Sequence, residues 1–263
     1  MQKNCKESYK KDVLRFALFL GEVMMSNGAE THRVEDTIIR ICKSRGFNHV
    51  NVFTSPTTLI ISDERFDGLT FMKTIKNRSI DLNKIVLFND FSRKFVNNPE
   101  ITVEEAIKEL KEINNNSFIY PDYINYIATG LACACFAFLI GGNTATNFIL
   151  TTIVSSLGFM CYKRIMKLSS ISSFASLVVS IIIAIGGIIL TQIGLLSSPT
   201  TLIVGSIMPL LSGVSFVKGV RDLISGELIS GVARIFDACL IAISIASGVG
   251  IILDFWINNG GVL

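Results

Sequence analysis

Charge is what this chain has least of. Lys, Arg, Asp and Glu make up 17% of its 263 residues, where a soluble domain carries about a quarter. The shortage is uneven. Residues 1–120 hold 18 of the 24 Lys and Arg and 16 of the 21 Asp and Glu, while residues 121–263 hold the other 6 and 5. A single soluble globule, a disordered chain and a protein with one membrane anchor are all excluded by that split. Histidine is nearly missing too. His32 and His49 are the only two, and no Cys-x-x-Cys pair accompanies them, so no metal site is expected. The six cysteines make no disulfide framework. Cys5 and Cys42 lie in the polar half, and Cys133, Cys135, Cys161 and Cys239 lie in apolar runs, where a thiol behaves as a small hydrophobe. No nucleophile elbow, phosphate-cradling glycine loop or zinc-protease helix occurs, so neither an enzyme nor a cofactor is expected. The net charge of +3 is too small and scattered for nucleic acid.

What the second half has instead is long apolar runs. A membrane span needs about 20 such residues to cross ~30 Å of hydrocarbon. Five stretches qualify: 123–140, 146–162, 172–194, 199–217 and 232–257. The second and fourth are short and the fifth is long, so tilt or partial burial has to absorb the mismatch. The joints at 141–145 and 195–198 carry no Lys or Arg, whereas the alternate joints carry Lys163, Arg164 and Lys167, then Lys218, Arg221 and Arg234. Cytoplasmic loops attract that excess, which puts the N-terminal half in the cytoplasm and the tail at 254–263 outside. The apolar run at 16–25 is short, contains Glu22 and lacks a small-x-small cleavage pattern, so it reads as a helix of the polar half and not a signal peptide.

Within the polar half, Val13, Phe16, Ala17, Leu20, Val23 and Met24 recur at helical spacing over 10–27, and Asn27-Gly28 is a helix stop. Thr31 is expected to cap a second helix to Ser44. Short β-branched runs at 50–54 and 58–62 around Ser55-Pro56 predict two strands and a turn, with a third strand at 68–75. Asp81 or Asn83 starts a further helix, and Thr102 caps another with Glu104 and Glu105 in its first turn. Residues 114–117 read as a linker, and Tyr120 and Tyr123 suit a membrane interface. The hexapeptide SPTTLI occurs at 55–60 and 198–203 in different settings, a chance match. The fold class is therefore an α-helical membrane protein with five transmembrane helices, preceded by a small α+β cytoplasmic domain. The domains divide as 1–119 and 120–263.

Three groups of residues carry candidate chemistry. In the fourth span, Gly205, Pro209 and Gly213 stand four apart. Pro209 removes a backbone donor and should kink the helix, and hydroxyls of Ser206, Ser212 and Ser215 lie close by. Two readings stay open. One is a solute pathway walled by an interrupted helix. The other is close helix packing through small residues. Asp237 sits about one turn inside the fifth span, where a carboxylate costs ~3 kcal/mol or more. It is a candidate for ion coupling or for contact with a substrate amine, or equally a structural partner of Arg234 at i, i+3. Lys218, Arg221, Asp222 and Glu227 read as a solvated joint more readily than as a gate. Finally, 28–36 (GAETHRVED) crowds charges around a helix start, with Glu30–Arg33 or Arg33–Asp36 as possible pairs.

Two of these stretches together resemble the threonine/serine exporter (ThrE) family, including its YjjP-like branch. They are GEVMMSNGAETHRVEDTIIRICKSRGF and VGSIMPLLSGV followed by VRDLISGELISGVARIFDACLIAISIASGVG. The matching positions include Gly28, Glu30, Arg33 and Glu35 in the first, and Gly205, Pro209, Gly213, Asp222 and Arg234 in the second. Ser212 stands where the family often has a second proline, and His32 where an aromatic is common. The resemblance implies export of small polar metabolites, chiefly threonine and serine, with a related two-protein branch associated with succinate. The family's full architecture has ten spans, so a five-span chain implies half of a split transporter. A YjjB-like five-span membrane subunit would be its partner, and the assembly a hetero- or homo-oligomer in the inner or plasma membrane. The pathway would use Gly205, Ser206, Pro209, Ser212 and Gly213, with Asp222, Arg234 and Asp237 in ion coupling or gating. Gly28, Glu30, Arg33 and Glu35 would form a motif of the cytoplasmic domain. The rival classes are a dicarboxylate exporter subunit, a membrane-anchored enzyme and a non-transporting sensor or assembly subunit.

Overall fold

The structure, a computed structural model, describes residues 2–64, 69–76, 79–115, 120–196, 198–258 and 260, with side chains from Ser8 onward. The chain divides into two compact units. One comprises Met1–Phe118 together with Val217–Arg234, and the other comprises Ile119–Phe216 together with Ile235–Leu263.

The first unit opens with α1 (Gln2–Ser26) and α2 (Thr31–Ser44), continues through β1 (Val50–Thr54), β2 (Thr58–Asp63) and β3 (Thr70–Thr74), and then α3 (Leu82–Asn97) and α4 (Val103–Asn115). The strands form an antiparallel sheet in the order β1-β2-β3, with Val50 opposite Asp63 and Thr58 opposite Thr74. β2 alternates as a half-buried strand should, turning Leu59, Ile61 and Asp63 inward. Its apolar face meets α1, where Gly21 keeps the approach close; a Cβ there would stand 2.6 Å from Leu59 Cδ2. Phe16, Leu20, Ile38, Ile41, Phe88, Phe95 and Leu110 complete a single core drawn from α1 to α4. Asp63 at the strand end forms a buried ion pair of 2.8 Å with Lys10.

The caps explain most of the boundaries. Asp81 accepts from the Lys84 N–H at 3.0 Å and starts α3. Thr102 and Glu105 bond each other's backbone N–H groups reciprocally, the capping box that starts α4. Arg45, past the end of α2, donates to the carbonyls of Pro99 and Ile101 and lies 4.1 Å from the Phe95 ring centroid, so it ties the α3–α4 turn to the core. The linker expected at 114–117 begins later than its sequence suggests, because Asn114 and Asn115 close α4. Residues 116–117 and Gly68, expected in the third strand, lie outside the described residues, as does the side chain of Cys5.

The second unit contains α5 (Asp122–Leu139), α6 (Ala145–Ser169), α7 (Ser172–Gln192) and α8 (Thr200–Ile207). It also holds the start of α9 (Gly213–Ile224) and most of α10 (Leu228–Asn258). Four of these helices are long and apolar enough to cross a membrane singly: α5, α6, α7 and α10. The fourth sequence span is not one helix. Met208-Pro209-Leu210 forms a 3-10 turn, Leu211 is extended, and the helices either side are bent by 53°. Counting that bent pair as one gives the five expected spans. Pro209 is the cause, since it cannot donate to the preceding turn. The fifth span expected at 232–257 lies within the longer α10, whose first seven residues, Leu228–Arg234, belong to the first unit.

Small residues set the spacing within this unit, as expected for helices in lipid. A Cβ on Gly205 of α8 would lie 2.7 Å from Ala137 Cβ and 2.9 Å from the Cys133 carbonyl of α5. A Cβ on Gly187 would meet Ile203 at 2.9 Å, and one on Gly248 would meet Ser180 Oγ at 2.1 Å.

Candidate functional site

The polar residues flagged in two distant stretches meet inside the first unit. α1 ends in a Schellman motif: the Ala29 N–H donates to Met24 O and the Gly28 N–H to Met25 O, both at 3.0 Å, with Gly28 at φ +86°. Only glycine takes that conformation freely. The carbonyls left at this helix end attract cations. Lys218 Nζ donates to Gly28 O, and Arg234 Nη2 lies 3.4 Å from Ala29 O. Both cations come from the segment Val217–Arg234.

At the centre of the cluster is Asp222. Its side chain is fully buried and forms an ion pair at 2.9 Å with Nε of the largely buried Arg234, although that N–H does not point along a hydrogen bond. The same carboxylate oxygen accepts from Thr31 Oγ1 at 3.3 Å, and the other oxygen has no protein partner. Arg221 reaches Glu30 at 2.6 Å, and His32 Nε2 is 3.9 Å from the other Glu30 oxygen. Nearby, Glu35 accepts from the Thr54 N–H at 2.8 Å. Burial, and then the charge of Glu227, hold its carboxyl above the usual range, against the lowering effect of the Thr54 hydrogen bond. Ser230 on α10 lies 3.3 Å from the carbonyl of the same Thr54.

Several expectations change here. The joint after the fourth span is a helix whose Asp222 is buried, not a solvated loop. Thr31 does not cap α2. Glu30 holds the cap position without a side-chain bond, and the Thr31 hydroxyl turns to Asp222. Glu30 pairs with Arg221 and Asp36 with Arg40, so Arg33 is tied to neither. Arg234 turns to Asp222 and not to Asp237, which lies on the exposed side of α10 in the single chain. Sequence reasoning missed Thr31 and Lys218 as members of the cluster. The available signal was spacing, because Lys218, Arg221 and Asp222 lie at i, i+3 and i+4 on one face of an amphipathic helix.

At the broken helix, Gly205 and Ser206 are buried, Ser212 is half-buried, and Pro209 and Gly213 are exposed in the single chain. Ser206 accepts from Ser155 Oγ of α6 at 2.8 Å, and Asn147 Nδ2 donates to Thr201 Oγ1 at 2.7 Å. Thr151 Oγ1 donates to the Asn147 side-chain oxygen at 3.1 Å. Asn147, Thr151 and Ser155 stand four apart on α6 and so form a polar seam against α8, which the sequence analysis passed over. Hydroxyl and amide groups in a membrane are costly unless paired, and here they pair across the seam. Among the described residues, no group of three or more His, Cys, Asp and Glu could hold a metal ion.

The family model ThrE, described as "Putative threonine/serine exporter", matches residues 15–256. The chain belongs to the threonine/serine exporter family. It is thus a multi-pass membrane protein of a transporter family. Its relatives in this family differ in length. The chain is 22% identical over 257 residues to the Klebsiella aerogenes "Probable succinate transporter subunit YjjP", covering 95% of this chain and 96% of that one. It is 23% identical to the Escherichia coli protein of the same name, covering 96% and 98%. It is 23% identical to the Mycobacterium tuberculosis "Probable threonine/serine exporter", covering 97% of this chain but 48% of the relative. No solved structure matches this exporter-family chain.

Proposed function

We propose that this chain is one membrane subunit of a two-component secondary exporter of small polar metabolites, with threonine and serine as first candidates. A second, YjjB-like five-span subunit would complete it. The observation that carries this reading is the pattern of coverage. The chain aligns with nearly all of two relatives that are themselves called transporter subunits, and with about half of a relative called an exporter. The alternating joint charges support a cytoplasmic first unit and an external C-terminal tail. Alternating access would use the break at Pro209, where half-helix ends can face a carboxylate or an amine. Gly205 and Ser206 would hold α8 against α5 and α6, while Pro209, Ser212 and Gly213 would form the part of the wall left open to solute or partner. Asp237 would be the ion-coupling group. An exposed carboxylate on an apolar helix is costly against lipid, so a second subunit facing it fits the same scheme.

Succinate is the second reading, favoured by the names of the two relatives aligned over nearly their whole length. Against it, the positive charge of the described membrane helices is confined to their ends. Arg234 is engaged by Asp222, Lys163 by Asp122 at 2.8 Å, and Arg164 and Lys167 are exposed in the last turns of α6. A zwitterion fits such a site better than a dianion, unless the partner supplies charge. Counterflow of labelled serine, threonine and succinate in vesicles holding both proteins tests the proposal. Serine or threonine exchange that requires both chains is the expected result. Exchange of succinate alone would transfer the assignment to the second reading. A stable pair with no flux of any of the three would leave a sensor or assembly subunit. For the coupling role, Asp237→Asn should abolish the pH dependence of export.

A further inference from the structure

Beside the end of α1 the first unit has a recess of about 80 Å³. Met24, Leu82 and Ile85 form its apolar wall, Asn89 contributes an amide, and Glu30, Arg33 and Lys218 line it with charge, the Glu30 carboxylate being offset by Arg221. The ion pairs around it are unequal. The cluster holds four cations, Arg33, Lys218, Arg221 and Arg234, against the carboxylates of Glu30 and Asp222. Arg221 is taken by Glu30 and Arg234 by Asp222. Among the described residues, no carboxylate lies within ion-pair distance of the other two, and these two cations line the recess beside the Glu30 that Arg221 already engages. Lys218 gives one N–H to the Gly28 carbonyl and has two more to offer. Gly28 keeps the approach open, since a Cβ there would stand 3.2 Å from Lys218 Nζ.

We propose that this recess binds a small carboxylate, with Arg33 and Lys218 taking the carboxylate oxygens, Asn89 meeting a hydroxyl or a second carboxyl, and Met24, Leu82 and Ile85 covering the short carbon chain. The volume admits a few heavy atoms and excludes a nucleotide. Resting on the exporter reading above, the ligand is the exported solute itself, held outside the membrane helices. The chemistry of the recess stands without that reading.

The test is equilibrium binding of labelled serine, threonine and succinate to the purified full-length chain without its partner, with inorganic phosphate as competitor. At least one of the three should bind saturably. Arg33→Ala and Lys218→Met should each weaken binding about ten- to hundred-fold, the loss of one charge-assisted hydrogen bond, and Arg33→Lys should restore part of it. Arg33 is exposed, so Arg33→Ala should melt at the parent's temperature, which separates lost binding from lost folding. Absence of saturable binding, or unchanged affinity in both variants, overturns the site. Phosphate displacing the carboxylate at equal concentration overturns the ligand class. Counterflow with intact flux but no Arg33-dependent binding removes the recess alone; Arg33-dependent binding with no flux removes the exporter reading alone.

Discussion

Removing the carboxylate of Asp222 should strongly destabilise the first unit. Asp222 is fully buried, its Arg234 partner keeps 14% of its side-chain surface, and Thr31 adds a third polar group. Asp222→Ala leaves a largely buried guanidinium without its counter-charge, a change that costs about 3–5 kcal/mol in buried pairs. Asp222→Asn keeps the shape and one acceptor and should cost less. Truncating both partners, Asp222→Ala with Arg234→Ala, should recover part of the loss, since the stranded charge is gone, and a coupling of about 1–3 kcal/mol is expected. The assay is the temperature at which the full-length protein in detergent loses its monodisperse chromatographic peak, read for both single variants, the double variant and an Asp36→Ala control. Asp36 and Arg40 are 56% and 69% exposed, so that pair should matter little. If Asp222→Ala melts with Asp36→Ala, or if the two single losses simply add, the buried pair is not what holds α9 and the start of α10 in this unit.

Other outcomes follow from the same geometry. Gly205→Val should prevent α8 from packing on α5, whereas Gly213→Ala should be tolerated, because nothing lies within 4 Å of a Cβ at Gly213; yields of monodisperse protein compare the two. Glu35 binds its proton more tightly in the folded state than at its ordinary 4.5. Its contribution to stability is therefore complete below that value and is lost as pH rises through the raised one. Melting profiles from pH 4 to 8 should show the parent falling relative to Glu35→Gln as pH increases, and parallel profiles would refute this. Cys42 is buried and its thiol is pushed up to about 12 by burial and then by Asp63, so peptide mapping after alkylation at pH 8 should find it unlabelled until the unit unfolds.

The sequence carried the element pattern well where the physics is local. Helical periodicity found α2 and the C-terminal part of α1, which starts at Gln2 and not near Lys10, the Asp81 and Thr102 caps placed α3 and α4, and β-branched runs placed β1 and β2. Pro209 announced its own break, because a missing donor acts wherever the residue stands. Legibility ended where partners are far apart in the chain. Nothing local to Asp222 says that it is buried, since burial is decided by Thr31 and Glu30 about 190 residues earlier. The same non-locality sent Arg234 to Asp222 when its near neighbour Asp237 was the natural guess. The Asn147–Thr151–Ser155 seam was passed over for another reason: hydroxyls in an apolar run look like filler until the facing helix shows what they bond.

The first unit is discontinuous, and that orders events at the ribosome. Residues up to Phe118 emerge early, but their companion stretch Val217–Arg234 is synthesised almost a hundred residues later, after α5 to α8. Until then the Gly28 and Ala29 carbonyls and the Glu30 carboxylate wait without the cations that meet them in the finished protein. The complete unit can therefore close only when the helices between its two pieces have been made. A fragment cut after the first 118 residues would be arrested at that waiting stage.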